Sequence, residues 1–259
     1  MHSAPTLPGT VLLTGAGRRR NIGSAIARGL AADGFDLALS YCAEYDQRVN
    51  GEASDVELLA DELREAGTRV ELVPGDLADP EVPGQLVTSA REALGPIGAL
   101  VMCHCESVDS SILDTTVESF DRHYAVNVRA TWLLLKAFAE QVEPGTDTPG
   151  GAAIALTSDH TVHNLPYGVT KGALDRLVLA GTGELADRGI RTNVINPGPI
   201  DTGWMTEEIR AAGAEATPGG ALGGPQTVAD LVRFLLSEQG AWIRGQLLYS
   251  NGGFRMPAL

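Results

Sequence analysis

Tyr167 and Lys171 stand four positions apart at the start of a helical pattern running over 167–188. That spacing puts both side chains on one face of the helix. A phenol has an ordinary pKa of about 10, too high for easy proton donation in neutral water. An ammonium beside it favours the phenolate and lowers that value. Tyr-x-x-x-Lys arises by chance on many helices, so the pair alone is a weak signal, and three companions sharpen it. Ser158 closes the preceding strand, in Leu156-Thr157-Ser158, and brings a hydroxyl. Asn127 lies in the apolar stretch Tyr124-Ala125-Val126-Asn127-Val128, where a buried carboxamide needs partners, structural or functional. Asn196-Pro197-Gly198-Pro199-Ile200-Asp201-Thr202 follows a later strand, with the composition of a rigid turn that can hold a ring.

A second group of residues points to binding. Thr14-Gly15-Ala16-Gly17-Arg18-Arg19-Arg20-Asn21-Ile22-Gly23 joins the first strand to the first helix. Glycines at such a junction let the backbone turn sharply and approach a pyrophosphate, and the helix N-terminus supplies free N–H donors. A glycine pattern alone is weak evidence, but its place at the first β-to-α junction of an alternating chain strengthens it. In dinucleotide folds an acidic residue ending the second strand bonds the 2′-hydroxyl of NAD. Here that end reads Leu39-Ser40-Tyr41-Cys42, with no acid, while the glycine turn carries three arginines. Arg18 or Arg19 can neutralise a 2′-phosphate with Ser40 as donor, so NADP(H) is favoured. Glu44 and Asp46 lie just downstream and leave NAD(H) open. Asp76, in Gly75-Asp76-Leu77, either accepts from an adenine amine or caps the helix beginning near Pro80.

These residues need a scaffold, and the chain supplies one. Strands are expected over 10–14, 36–41, 69–73, 98–103, 151–157, 190–196 and 246–250, and helices over 22–33, 52–66, 80–94, 117–142, 167–188 and 226–237. Several strands are continuous apolar runs, as in strands covered by helices on both faces. Strand and helix alternate throughout, which predicts an α/β fold of the doubly wound, Rossmann type. Its parallel sheet has about seven strands, with ligands at their C-terminal ends. No linker divides the chain, so 1–259 reads as a single domain. The Pro/Gly-rich stretch 144–151 reads as a helix-to-strand turn. The segment 201–225, with a short helix over 203–212, reads as a mobile flap over the site or a plain surface loop.

Composition narrows the partners. Thirty-three acidic against nineteen basic residues give a formal charge of −14, a field that repels phosphate backbones and anionic lipid. Neither a nucleic acid nor a membrane is expected as partner. The polar, proline-bearing start has no apolar stretch for a signal peptide, no run approaches a membrane span, and the cytoplasm is the expected location. Cys42, Cys103 and Cys105 imply no disulfide ladder. Cys103-His104-Cys105 lacks the second cluster a zinc site needs, so no metal is expected.

Taken in order, Thr14-Gly15, Asp76-Leu77, Asn127, Ser158, Tyr167-x-x-x-Lys171, Asn196-Pro197-Gly198 and Gly245-Gln246…Asn251-Gly252-Gly253-Phe254 resemble the short-chain dehydrogenase/reductase family, over roughly 9–254. The resemblance implies an oxidoreductase interconverting a ketone and an alcohol. Tyr167 would then donate the proton, and Lys171 would lower its pKa and hold the nicotinamide ribose. Ser158, with Thr157 as fallback, would orient the substrate carbonyl. Asn127 would hold a water linking Lys171 to solvent. Pro197, Gly198 and Ile200 would cradle the nicotinamide, with Thr202 near the pyrophosphate or amide. Gly15, Arg18, Arg19, Asn21, Ile22, Gly23, Ser40, Asp76, Leu77 and Cys103 complete the expected cofactor contacts. The resemblance also implies a homo-oligomer, a tetramer or a dimer. Similar members include 3-oxoacyl-carrier-protein reductases, polyketide ketoreductases, and alcohol, sugar and pteridine-type reductases, so secondary metabolism or acyl chemistry is in view. A carrier protein is acidic and prefers a basic docking patch, which the charge of −14 disfavours. Trp204 and Met205 point to an apolar or ring-bearing substrate, or simply to packing. The competing class is a non-catalytic dinucleotide sensor on the same fold.

The chain departs from the family pattern at three places. The glycine turn is two residues longer than usual, with Asn21 at its middle glycine. The fourth strand ends Met102-Cys103-His104-Cys105 in place of Asn-Asn-Ala-Gly, so His104 is expected to point somewhere roomy. Ser158 precedes Tyr167 by only nine residues, so Asp159-His160-Thr161-Val162-His163-Asn164 forms a shortened pocket wall. His160 or His163 touches substrate there, or the wall is an exposed loop.

Overall fold

The computed structural model describes residue 7 and residues 9–51, 53–145, 150–203 and 205–254. Within them lies one seven-stranded sheet, all parallel, in the order β3-β2-β1-β4-β5-β6-β7. The strands are β1 (Thr10–Thr14), β2 (Asp36–Tyr41), β3 (Val70–Pro74), β4 (Ile97–Met102), β5 (Gly151–Leu156), β6 (Ile190–Asn196) and β7 (Leu247–Tyr249). Strand order reverses between β1 and β4, opening a crevice at their C-terminal ends.

Alternate residues of each strand serve opposite faces. Val11 and Leu13 of β1 pack with α1 (Ile22–Ala32), α3 (Val56–Glu65) and α9 (Pro225–Leu236). Leu12, between them, packs with α4 (Val82–Leu94), α6 (Ala130–Glu140) and α7 (Leu165–Glu184). Both faces are therefore covered, which explains why the central strands read as unbroken apolar runs.

The differences from the sequence expectation have local causes. The 117–142 helix is α5 (Val117–Tyr124) and α6 joined by a π turn, Ala125–Arg129, which carries Asn127. A short helix α2 (Ala43–Tyr45) and a second π turn, Asp46–Asn50, follow β2 where none was expected. The α3 helix begins late because Ser54 Oγ and Asp55 N both donate to Gly17 O, at 2.7 and 3.1 Å. The flap helix, α8 (Glu207–Glu215), starts later than 203 because Thr206 is its N-cap, accepting from Ile209 N at 3.4 Å. Trp204 and residues 146–149 of the expected 144–151 turn lie outside the described residues. Among the described residues no helix is long and apolar enough to cross a membrane.

Candidate active site

The glycine turn is held open by close approaches. Gly15 sits at φ +77°, and a Cβ there would lie 2.7 Å from the Cys103 carbonyl. A Cβ on Gly23 would lie 2.6 Å from Gly15 O. Only bare backbone lets β1, the β4 exit and the start of α1 meet this tightly. Asn21 caps α1 by accepting from Ser24 N at 2.7 Å, while Ser24 Oγ accepts from Asn21 N at 3.1 Å. Its Nδ2 also donates to Gly15 O at 3.1 Å, so the residue in the middle-glycine position is the lock of the longer turn. Ile22 is half-buried and packs against the core.

The first two of the three arginines diverge. Arg18 lines the cleft, with Nε 3.8 Å from the buried carboxylate of Asp46. Arg19 is turned onto α3, where its guanidinium donates to Glu62 at 3.1 Å and its backbone N–H to Asp55 at 2.6 Å. Arg28 grips Glu62 as well, and the two guanidiniums hold that carboxyl down at about 2. Ser40, Leu77 and Cys103 line the cleft, Ser40 and Leu77 buried and Cys103 half-buried. Asp76 does not cap α4, whose N-cap is Glu81; it accepts from Ala78 N at 2.9 Å and lines the cleft bound to Arg122 at 3.0 Å.

The opposite wall also lines this cleft, through residues the sequence reading passed over. Glu106, one residue beyond the Cys-His-Cys run, has a carboxylate almost wholly buried. Arg48 reaches both of its oxygens, at 2.7 and 2.8 Å, and Arg122 Nε reaches one at 3.0 Å. Tyr45 lies beside them, its hydroxyl 4.0 Å from Cys105 Sγ, and burial pushes its phenol pKa well up. The only sequence signal for Glu106 is a charge placed directly after an apolar strand and a Cys-His-Cys run.

The candidate catalytic residues gather at the junction of β5 and α7. Asn164 precedes α7, Pro166 occupies its first turn, and Tyr167 and Lys171 follow on one face. Gly168 is required beside them, since a Cβ would lie 2.6 Å from His160 O in the 159–164 wall. Lys171 is 3% exposed and donates to Leu156 O at 2.8 Å, with Nζ 5.6 Å from the centroid of the Tyr167 ring. The Ser158 hydroxyl hydrogen-bonds the Tyr167 phenol, and its oxygen also accepts from His160 N at 3.1 Å. Thr157, the fallback, is buried and donates to Lys171 O at 3.4 Å. His160 and His163 are exposed.

The phenol pKa moves opposite to the sequence expectation. Burial pushes it up, Cys105 adds to that, and the Ser158 bond only partly offsets it. Lys171 is itself buried, and burial lowers its own pKa. The upward shift keeps the Tyr167 phenol protonated at neutral pH.

Asn127 is completely buried and fully engaged. Its Oδ1 accepts from Glu106 N at 2.8 Å, and its Nδ2 donates to Glu106 O at 3.0 Å and Thr170 Oγ1 at 2.9 Å. It thus fixes the β4 exit against the residue preceding Lys171. His104 contradicts the expectation of a roomy place: it is buried at 8% exposure, with Nδ1 2.7 Å from Thr14 Oγ1. Burial, then the Lys171 charge, lower its pKa to about 3, so the ring is neutral. Burial pushes the Cys103 thiol up to about 12.

At the end of β6, Pro197 and Ile200 are buried, while Gly198, at φ +65°, and Thr202 are half-buried. Gly198 N donates to Asn196 Oδ1 at 3.0 Å, and a Cβ on Gly198 would lie 2.4 Å from that of Asn251. This turn and the Tyr167 group share the C-terminal edge of the sheet with the glycine turn.

A family described as enoyl-(acyl carrier protein) reductase matches residues 15–255. The chain is a member of the short-chain dehydrogenase/reductase family. An oxidoreductase of Bacillus subtilis strain 168, YjdA, is 33% identical over 94% of this chain and 95% of its own length. An NADPH-dependent aldehyde reductase-like chloroplastic protein of Arabidopsis thaliana is 32% identical over 97% of both chains. Among solved structures, a short chain dehydrogenase from Burkholderia cenocepacia J2315 in complex with NADP is 27% identical, covers 96% of this chain and 99% of its own, and superposes with a TM-score of 0.84. As a short-chain dehydrogenase/reductase, the protein is an oxidoreductase acting between CH–OH and C=O.

Proposed function

We propose that this short-chain dehydrogenase/reductase reduces a ketone or aldehyde to an alcohol with NADPH, Tyr167 giving the proton. The observation that carries the reading is geometric: Tyr167 and Lys171 share one face of α7 beside Ser158, with Lys171 Nζ 5.6 Å from the Tyr167 ring centroid. The residues present fit the cofactor. Gly15 and Gly23 lack a Cβ where one would strike backbone, so the turn closes tightly onto the start of α1, whose free N–H groups would meet a pyrophosphate. Of the turn's arginines, Arg18 lines the cleft and would take the 2′-phosphate, with Ser40, Asp76, Leu77 and Cys103 around the adenosine. Pro197, Gly198, Ile200 and Thr202 would hold the nicotinamide end. The NADP-bound Burkholderia structure and the NADPH-dependent Arabidopsis relative support this cofactor.

When bound, the reduced nicotinamide supplies a hydride. Tyr167 passes its phenolic proton to the substrate oxygen, while the Ser158 hydroxyl donates to that same oxygen. The two donors are preorganised where negative charge develops, the arrangement that contributes most to such barriers. Lys171, fixed by Leu156 O, stabilises the phenolate left behind. Asn127 keeps the β4 exit and Thr170 in place beside it.

The segment 201–225 would act as the substrate flap. An isolated bridge pairs Ile200 with Gly223, and Met205, within the segment, is buried. The α8 helix buries no residue fully, so it can open at low cost. Copies of the chain would assemble through α5–α7, a reading supported by Tyr124, Trp132 and Val169, which expose 48%, 51% and 46% of their surface. The direct test is NADPH oxidation, followed by absorbance, across a panel of ketones and aldehydes. Turnover of at least one carbonyl is expected; tight NADPH binding with no turnover on any would replace the enzyme by a dinucleotide sensor.

A further inference from the structure

At the opposite, N-terminal edge of the sheet lies a second cavity of about 520 Å³. It is bounded by the starts of β5 and β6, the turn before β2 and the end of α9. Arg191, the second residue of β6, lines it and is only 7% exposed. One of its nitrogens, Nη2, donates to Leu235 O at 3.2 Å, while Nε is buried and has no acceptor among the described residues. Arg244 lines the same cavity, and its positive charge adds to burial in lowering the Arg191 pKa.

Neither guanidinium pairs with a carboxylate among the described residues. Of the two acids at the cavity, Asp33 is bound to Arg233 at 2.6 and 2.7 Å, and Glu238 makes no ion pair among the described residues. Burying an unpaired cation beside another cation costs several kcal/mol unless an anion compensates it. Phe35, Phe234 and Leu236 give the cavity an apolar side.

We propose that this cavity is a second ligand site, taking a small oxyanion, a carboxylate or a phosphate, between Arg191 and Arg244. The oxyanion accepts from the idle Arg191 Nε and from Arg244, and any apolar body lies on Phe35 and Phe234. The site is separate from the nucleotide cleft, being at the other end of the strands, and does not depend on the proposed reaction.

The test is thermal unfolding of the whole chain in sodium phosphate and in sodium benzoate, each against sodium chloride of equal ionic strength. Wild type and Arg18→Ala are both expected to gain about 2–4 °C at a probe concentration roughly fivefold above its Kd. Arg244→Gln, at an exposed position, should fold normally and lose the gain; Arg191→Gln should lose it too. A larger gain with benzoate assigns an organic carboxylate, and a larger gain with phosphate assigns a phosphate. Three outcomes overturn the proposal: no gain in wild type, an undiminished gain in Arg244→Gln, or a gain abolished by Arg18→Ala, which would put the anion in the nucleotide cleft.

Discussion

The two walls of the cleft are built by different physics. The wall from Leu156 to Lys171 is compact in sequence, and Thr157, Thr170 and Lys171 in it are buried. Its ammonium is held by a backbone carbonyl, and its phenol stays neutral because burial makes ionisation costly. The nucleotide rim is a lattice of charges drawn from distant parts of the chain: Arg18 with Asp46, Arg48 and Arg122 on Glu106, and Arg122 on Asp76. One wall tunes proton affinity by desolvation; the other positions cations by pairing them. Chemistry on the first should respond steeply to single substitutions, whereas binding at the second should respond in smaller, distributed steps.

The largest expected effect separates charge from position on the reacting wall. Lys171→Met should lower turnover by about 10²-fold or more, since the phenolate would form with no cation beside it. Steady-state kinetics with a reactive carbonyl measure this, and an unchanged kcat would remove Lys171 from the mechanism.

Next comes the buried Glu106. Glu106→Gln removes the charge that two guanidiniums share and should cost about 2–4 kcal/mol of stability, a Tm drop of roughly 4–16 °C. Differential scanning calorimetry reads it, and a drop no larger than that of an exposed Glu→Gln change would show the lattice to be ornamental.

His104 links the walls through pH. Its folded pKa of about 3 lies below the ordinary value of 6.5, so the unfolded chain binds the proton more tightly. The stability it contributes is fully present above about 6.5 and is lost as pH falls toward about 3. Replacing it, as in His104→Asn, should flatten that part of the stability profile in urea melts taken across the acid range. An unaltered slope would mean the ring is solvated.

The smallest effect is the sharpest contrast on the rim. Arg18→Ala should weaken NADPH binding by about tenfold, the loss of one charge-assisted contact. Arg19→Ala, which breaks an ion pair on α3, should leave the affinity unchanged and cost under about 1 kcal/mol of stability. Fluorescence titration of both variants decides it; equal losses would contradict the different placements of the two side chains.

The same contrast explains what could be read from the sequence. Strands and helices announce themselves through neighbouring residues, so all seven strands were expected within a residue or so of where they lie. The Tyr167–Lys171 spacing is equally local. Pairings across the fold are not: Arg48 and Glu106 are 58 positions apart, Asp76 and Arg122 are 46, and nothing in either neighbourhood names the partner. Three consecutive arginines look alike until Glu62, 43 positions away, draws one of them off. The phenol pKa was misjudged for the same reason. Helical spacing shows which groups are adjacent but not how dry their surroundings are, and here dryness decides the direction.

The central claim is that Tyr167 is the proton donor, and Tyr167→Phe tests it most directly. NADPH titration and carbonyl-reduction kinetics should be run on the same preparation. The account predicts unchanged NADPH affinity and folding with turnover reduced by about 10²–10⁴-fold. Turnover within a few-fold of wild type, with cofactor still bound, would contradict it.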